Sequence, residues 1–192
     1  LTTASGRHTA LPDAIGLLPS NIGAAIQALE AAECGDLSEA VLAQMGRVQL
    51  PGRLSHKVMH GIECIFDVAH NTESVKALVR HLAETVSLGA TRAMFAAMGD
   101  KPIHDMISAC DGVFDEWSVI DLPEVPRAQS AVELAAVIGQ NRVVDTGSFG
   151  CVWEALQRRC AFGDRVVIFG SFLLVGDALS IMDSGTEVRE RA

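Results

Sequence analysis

The sequence places an acid, an imidazole and an amide within five residues at the end of an apolar segment. The segment is IFDVAHN (65–71), and its polar side chains are Asp67, His70 and Asn71. Other apolar segments are followed or preceded by Arg53, Asp100, Lys101 and Ser171. In a cleft, a carboxylate can hold two ribose hydroxyls, a guanidinium can meet a phosphate or carboxylate, and an ammonium or hydroxyl can fix a small anion. These residue types indicate a binding cleft for an anionic ligand.

All of these residues except Arg53 follow segments that we interpret as parallel strands. The carboxyl ends of parallel strands share one edge of a sheet, and ligands of α/β proteins bind there. Helix capping is the alternative explanation for Asp67, Asn71 or Ser171 taken singly, because each precedes a predicted helix. Capping does not explain why the ends of several strands are polar at once, so a shared cleft is favoured.

Apolar segments and helical periods alternate along the chain after residue 48. Strands are predicted at 56–60, 61–68, 92–98, 112–120, 141–146 and 164–172, and helices at 72–87, 102–110, 130–139, 148–161 and 173–183. Strands that are apolar on both faces and are separated by such helices indicate a parallel sheet covered on both sides. The predicted fold class is therefore α/β, a Rossmann-like three-layer domain in which helices flank a mostly parallel sheet.

The first 47 residues are predicted to be a short helical segment that precedes this domain. Residues 1–20 are rich in glycine, proline and small side chains and indicate a loop. Two helices, at 21–33 and 37–45, are predicted with Ser20 and Asp36 as their N-caps. The Pro51–Gly52 pair then interrupts the helical pattern, so the predicted domains are 1–47 and 48–192.

Composition and charge narrow the class of protein. The net charge of −9 argues against nucleic-acid binding, which needs a basic face. The sequence shows neither a long apolar run nor a signal-peptide pattern, so we predict a cytoplasmic protein that does not bind membranes. The five cysteines form no C-x-x-C pair, and His56 and His60 are better explained as surface histidines than as ligands. Neither a disulfide framework nor a metal site is predicted.

The common phosphate-binding fingerprints are missing from the sequence. Neither G-x-G-x-x-G nor G-x-x-x-x-G-K-[ST] occurs, and none of the three lysines follows a glycine. The nucleophile elbow G-x-S-x-G is missing as well. By itself this sequence is therefore not expected to cradle a triphosphate in a phosphate loop.

Five motifs in order give the sequence a resemblance to a known family. They are LPGRL, IFDVAHN, MGDKPIHDM, PRAQSA and VVIFGSF. Their order and spacing resemble the C-terminal domain of the folylpolyglutamate synthase/dihydrofolate synthase family, in the Mur ligase superfamily of ATP-dependent amide-bond ligases. The stretch SNIGAAIQALEAA resembles the last helices of that family's central ATPase domain, so 1–47 is interpreted as its tail. Two departures are Thr72, where the family usually has proline, and Leu173, where some members have a polar residue or histidine.

The resemblance implies a division of labour within a longer enzyme. In this family the central domain carries the phosphate loop, the Mg²⁺ ligands and a modified lysine, and the C-terminal domain contacts ATP and glutamate. His70 is then the catalytic candidate, close to the phosphates or to an acyl phosphate. The implied ATP-binding residues are Arg53, Asp67 and Asn71, with Asp67 on the ribose and Asn71 mainly shaping the turn. The implied glutamate-binding residues are Lys101, Arg127 and Ser171.

The reaction implied by the resemblance is the addition of L-glutamate to a folate or dihydropteroate through an acyl phosphate. ATP and Mg²⁺ are the implied cofactors, and the central ATPase domain is the implied partner. The chain alone is expected to be inactive because it has no phosphate loop. Dihydrofolate synthase and folylpolyglutamate synthase activities both fit the sequence.

Two other functions are compatible with a Rossmann-like sheet. A non-catalytic nucleotide- or ligand-binding α/β module would use the same cleft without forming a bond. A dehydrogenase is disfavoured because the glycine fingerprint is missing. In the ligase interpretation His70 should be substantially exposed, whereas a structural His70 would be buried and bonded to a backbone carbonyl.

Overall fold

A computed structural model describes residues 17–34 and 37–187 of the chain, with side chains up to residue 183. The helices in these ranges are α1 Pro19–Ala31, α2 Glu39–Met45, α3 Thr72–Glu84, α4 Ile103–Ser108, α5 Ala131–Ile138, α6 Phe149–Arg159 and α7 Phe172–Glu187. The strands are β1 Ser55–Met59, β2 Ile62–Asp67, β3 Thr91–Phe95, β4 Glu116–Ile120, β5 Val143–Gly147 and β6 Arg165–Phe169. None of the helices in these ranges combines the length and the apolarity needed to cross a bilayer.

The six strands form one sheet in the order β1-β2-β6-β3-β4-β5. Strand β1 pairs with β2 in antiparallel orientation, and all other neighbours are parallel. The last strand along the chain, β6, therefore lies between β2 and β3. Its register places Phe169 level with Asp67 on one side and with Phe95 on the other. The carboxyl ends of these three strands consequently meet at one edge.

Helices cover both faces of the sheet, which confirms the predicted three-layer fold. Helices α3, α4 and α5 pack on one face with Phe95, Trp117 and Phe169 in the core between them. Helices α6 and α7 pack on the other face, against Phe66 and Ile168 among others. All five residues of β6 are buried, as expected for a central strand that is apolar on both faces.

Several predicted strands were too long. The prediction at 112–120 began too early, because Val113 still donates a hydrogen bond to the Cys110 carbonyl and belongs to the turn after α4. The prediction at 164–172 ran too far, because Gly170 adopts a φ of +105° and ends β6. Apolar side chains continue past both boundaries, so periodicity alone could not locate them.

The prediction for the start of the first helix was wrong. Helix α1 begins at Pro19 rather than after Ser20, and its N-cap residue Leu18 makes no side-chain capping bond. Proline is favoured at this position because its missing N–H would have no helical partner there. The predicted cap Asp36 and residues 1–16 lie outside the described residues; Ser38 is the N-cap position of α2. The boundary at residue 48 stays a prediction.

Helices α1 and α2 have an apolar cluster of their own. It contains the buried side chains Ile22, Ile26 and Leu42 and is distinct from the two clusters on the faces of the sheet. The sheet domain therefore completes its core without side chains from these helices.

Gly170 makes the turn that leads from β6 to α7 on the opposite face from α3 and α4. A Cβ atom at this position would lie 2.3 Å from the carbonyl oxygen of Ala96 and 2.6 Å from the Phe95 ring. Both its positive φ and this close approach require glycine.

Gly170→Ala should therefore destabilise the protein more than a change that introduces backbone strain alone. Gly139 is the matched control, because its φ is +100° and a Cβ atom added there would meet none of the described residues within 4 Å. We expect Gly139→Ala to cost about 1–2 kcal/mol and Gly170→Ala about 2 kcal/mol more. Urea unfolding of both variants measures the difference, and equal losses would contradict a steric requirement at Gly170.

Candidate functional site

The loops that follow β2, β6 and β3 surround one part of the carboxyl edge. The chain leaves β6 towards the α6–α7 face, whereas it leaves β2 and β3 towards the α3–α5 face. Loops that diverge in this way leave a crevice at the strand ends, the usual ligand position in such sheets. Most of the predicted site residues lie on these loops.

Arg53 reaches this edge because β1 is antiparallel to the other strands. Ser55 at the start of β1 pairs with Phe66 near the end of β2, so the residues before β1 lie beside the carboxyl end of β2. This explains how Arg53 can join a site made of strand ends although it precedes a strand. The Val68 N–H donates to the Gly52 carbonyl oxygen at 2.8 Å and fixes the same arrangement.

Asp67 is buried at the end of β2, where its side chain is bonded to the backbone. It is 5% exposed. One carboxylate oxygen accepts a hydrogen bond from the Ala69 N–H at 2.8 Å, and the other accepts one from the Leu54 N–H at 3.0 Å. Asp67 thus joins the segment that carries Arg53 to the turn that carries His70. A direct contact of Asp67 with a ribose stays a prediction.

Burial raises the pKa of Asp67 to about 6, from an ordinary value of 3.8. The two backbone hydrogen bonds, and then the nearby Arg53 and His70, oppose this shift. The loss of hydration has a larger effect on the pKa than these hydrogen bonds and charges, because only a small part of the carboxyl group contacts water.

His70 combines features of both expectations. The residue is half-buried, and its Nδ1 lies 2.8 Å from the Val68 carbonyl oxygen. A carbonyl only accepts hydrogen bonds, so Nδ1 carries the proton and Nε2 of the neutral ring keeps a lone pair. His70 is therefore anchored to the backbone through Nδ1, and its role in catalysis stays a prediction.

Asn71 is the N-cap of α3. Its side-chain oxygen accepts a hydrogen bond from the Ser74 N–H at 2.9 Å, and the Ser74 hydroxyl is bonded back to the N-cap backbone. Thr72 begins the helix. This capping box accounts for Asn71 as a residue that shapes the turn after His70.

Ser171 also acts within its own turn. It is 3% exposed, and its hydroxyl oxygen accepts a hydrogen bond from the Leu173 N–H at 3.2 Å. The bond satisfies one of the N–H groups that the first turn of α7 leaves without a helical partner. Its role in binding glutamate stays a prediction.

Lys101 and Arg127 lie on the loops that follow β3 and β4. The Gly99 N–H donates to the Arg127 carbonyl oxygen at 2.8 Å, so the two loops are joined by their backbones. Lys101 forms an ion pair with Asp100 at 2.9 Å, and this bond, helped by the charge of Arg127, lowers the pKa of Asp100. Beside them is a depression of about 280 Å³ whose polar lining includes Lys101, His104, Asp105 and Gln129.

Phe172 was not predicted from the sequence to be a site residue, although its ring lies between Arg53 and His70. It is the first residue of α7 and is 58% exposed. Its ring lies 5.3 Å from the His70 ring, and the Arg53 guanidinium carbon lies 5.7 Å from its centroid. An aromatic residue directly after a polar strand end could have indicated this position.

The structure thus brings Arg53, Asp67 and His70 together around the ends of β2 and β6. Lys101 and Arg127 form a second group at the ends of β3 and β4. Among the residues described, no set of three or more histidine, cysteine, aspartate or glutamate side chains could hold a metal ion.

The raised pKa of Asp67 predicts a pH dependence of stability. Between about pH 4 and pH 6 the folded protein retains a proton that the unfolded chain has released, so this group stabilises the fold less as the pH rises. The shift corresponds to about 3 kcal/mol, all of it lost above pH 6. In urea unfolding, the free energy of unfolding of the wild type relative to Asp67→Asn should fall by nearly this amount between pH 4 and pH 7. A rise over the same range would mean that the hydrogen bonds outweigh burial.

The curated proteins that match this chain all have the same name. The chain is 27% identical over 164 residues to the dihydrofolate synthase/folylpolyglutamate synthase of Escherichia coli (strain K12), which covers 85% of this chain and 38% of that protein. It is also 27% identical over 139 residues to the protein of the same name from Buchnera aphidicola subsp. Schizaphis graminum, covering 72% of this chain and 33% of the relative. The chain therefore spans less than half the length of these relatives.

Solved structures of proteins of this kind superpose on the chain. E. coli FolC in complex with DHPP and ADP superposes with a TM-score of 0.76 and 27% identity over 95% of this chain and 43% of that one. The bifunctional folylpolyglutamate synthase/dihydrofolate synthase from Yersinia pestis, complexed with AMPPNP and Mn, superposes with a TM-score of 0.73 and 28% identity. The match covers 92% of this chain and 42% of that one. These structures share the mixed six-stranded sheet flanked by helices.

A family profile covers most of the sheet domain and both groups of site residues. The match runs over residues 46–172, from the end of α2 to the first residue of α7. The chain belongs to the family described as the Mur ligase, glutamate ligase domain.

Proposed function

We propose that this chain is the C-terminal, glutamate- and nucleotide-contacting part of an ATP-dependent ligase that adds L-glutamate to a folate or dihydropteroate. The observation that carries the proposal is the convergence of Arg53, Asp67 and His70 at the carboxyl edge of a sheet of the ligase family. The names of the relatives and the ADP and glutamate bound in solved structures support the choice of substrates. In this proposal the protein acts in the cytoplasm.

Arg53 is the best candidate for contact with ATP. Its side chain makes no ion pair within residues 17–34 and 37–183, so its charge is available to a phosphate. Asp67 supports it by holding the adjacent Leu54 N–H, whether or not it also contacts the ribose. Asn71 contributes by capping α3 and thereby fixing the His70 turn.

The glutamate side is assigned to Lys101, Arg127 and Ser171. The first two supply positive charge beside the depression at the ends of β3 and β4, and a dicarboxylic amino acid requires such charge. Ser171 lies between the two groups of residues, at the end of the strand that separates β2 from β3. Its buried hydroxyl orients the first turn of α7.

The proposed reaction has two steps, and the site suits both of them. A substrate carboxylate attacks the γ-phosphorus of ATP, and ADP leaves to give an acyl phosphate. The amine of glutamate then attacks the acyl carbon, loses a proton, and displaces phosphate. Positive groups at the edge of a closing domain would neutralise charge in both steps and help to exclude the water that hydrolyses an acyl phosphate.

Mg²⁺ and the phosphates would be held mainly by another part of the ligase. The described residues offer no metal-ligand cluster, and the sequence has no phosphate loop. In this proposal, residues 1–47 are the tail of a central ATPase domain that supplies both. The sheet domain contributes Arg53 and His70 when it closes over the nucleotide.

The isolated chain should therefore neither hydrolyse ATP nor bind it tightly. Isothermal calorimetry with MgATP should give no micromolar binding, and phosphate release should equal the blank. The full-length ligase that the proposal requires is the positive control. Micromolar affinity of the isolated chain would contradict the division of labour and favour a separate nucleotide-binding module.

His70→Ala in the full-length ligase should reduce turnover at least about tenfold. The change removes one hydrogen bond and the contact with the exposed Phe172 ring, both at a half-exposed position, so the melting temperature should fall by only a few degrees. His81→Ala is the matched control, because His81 is also half-buried but lies near the far end of α3. A large loss of melting temperature with proportionate loss of activity would make His70 a structural residue.

A further inference from the structure

Phe172 is an exposed aromatic side chain that contacts two proposed ligand-binding groups. Arg53 comes from the segment before β1, and His70 comes from the turn after β2. The Phe172 ring lies beside both, with its centroid 5.7 Å from the Arg53 guanidinium carbon and 5.3 Å from the His70 ring centroid. A half-exposed phenylalanine gains little from burial here, so the contacts call for another explanation.

Local contacts hold the residues on both sides of Phe172. The Gly170 backbone packs so closely against the Ala96 carbonyl and the Phe95 ring that a Cβ atom would not fit. The Ser171 hydroxyl oxygen then accepts the Leu173 N–H and fixes the first turn of α7. The backbone of Phe172 is consequently held from both sides.

Arg53, by contrast, has a long and flexible side chain. Within residues 17–34 and 37–183 it forms no ion pair that would fix the guanidinium. Its backbone neighbour Leu54 is held by Asp67, but this bond leaves the Arg53 side chain free to rotate. A guanidinium over an aromatic face is attracted by the negative charge of the ring face while its N–H groups stay available.

We propose that Phe172 is a positioning residue that holds Arg53 and His70 towards one anionic ligand. The cation–π contact orders the guanidinium before the ligand arrives, and packing against the ring restricts the imidazole, whose Nδ1 is already bonded to Val68. Both groups then meet a phosphate with less loss of side-chain freedom on binding. The identity of the ligand, a nucleoside triphosphate, rests on the proposed function; the positioning role is a property of the chain itself.

The first test uses the chain alone and requires no ligand. Nitrogen-15 relaxation of the Arg53 Nε–H should show an ordered side chain in the wild type and in Phe172→Tyr. The order parameter should fall in Phe172→Leu, which keeps apolar bulk but has no ring. Phe162→Leu is the matched control, since Phe162 is exposed but lies in the loop before β6, at the opposite edge of the sheet. An Arg53 that is equally ordered in Phe172→Leu would overturn the proposal.

The second test is a double-mutant cycle in the full-length ligase. Phe172→Leu should raise the KM for ATP about three- to fivefold, the size expected for an exposed cation–π contact. Phe172→Tyr keeps an aromatic ring and should therefore leave the KM at its wild-type value. If Phe172 acts through Arg53, Phe172→Leu should have little further effect on KM in the Arg53→Ala background. A full additional effect in that background would mean that Phe172 contacts the nucleotide directly, which also overturns the positioning role.

The two tests separate failure of this inference from failure of the proposed function. If Arg53→Ala leaves the KM for ATP unchanged, the nucleotide role of Arg53 is wrong, whatever the relaxation data show. If Arg53→Ala raises the KM but Phe172→Leu does not, the nucleotide role stands and the positioning role is wrong.

Discussion

The pairing of β6 with both β2 and β3 is the contact on which the rest of the structure depends. Without β6, the β1–β2 hairpin and the β3–β4–β5 sheet would share no hydrogen-bonded neighbour. The pairing joins residues far apart in the chain, as in the bond between Arg165 and Glu63 across 102 positions. Such contacts require closure of a long loop, so we expect the two parts to join late in folding. Residues 166–169 of β6 are apolar and fully buried, and their contacts offset this cost.

The candidate site is a direct product of the same pairing. Because β6 ends level with β2 and β3, its following turn places Ser171 and Phe172 between the loops of both neighbours. Gly170 lets the chain turn there against the Ala96 carbonyl and the Phe95 ring. The contacts of Phe172 with Arg53 and His70 thus depend on a strand that is far from both in sequence.

The sequence was sufficient to predict the layers but not the order of the strands. Strands such as VVIF in β6 are apolar on both faces, which is a local signal for a sheet covered by helices. The position of β6 between β2 and β3 depends on pairing between distant residues, which no local pattern contains. The antiparallel direction of β1 follows instead from a local feature, the two-residue connection between β1 and β2. The strands predicted at 56–60 and 61–68 left no residues for this turn, so the sequence did not place Arg53 with the strand ends.

The candidate residues show the same limit at the scale of single side chains. Residue type and position were enough to place Asp67, His70 and Asn71 on one turn. They could not show that Asp67 bonds the Leu54 N–H across 13 positions, or that His70 is half-exposed and also carbonyl-bonded. Phe172 was not predicted as a site residue because an isolated phenylalanine is usually a core residue. Only its exposure and its neighbours in the structure distinguish it.

The hairpin between β1 and β2 gives the site an unexpected dependence on a turn at the other edge of the sheet. His60 and Gly61 both have positive φ, 52° and 79°, and form a two-residue connection between Met59 and Ile62. Such a turn fixes the register of the hairpin, and with it the position of the segment that leads into β1. An insertion there would slide β1 along β2 and carry Arg53 past Asp67, although the insertion point lies roughly 17 Å away along a five-residue strand. Turn length at this remote corner is therefore a means by which evolution can adjust the reach of the Arg53 guanidinium without replacing any residue of the candidate site.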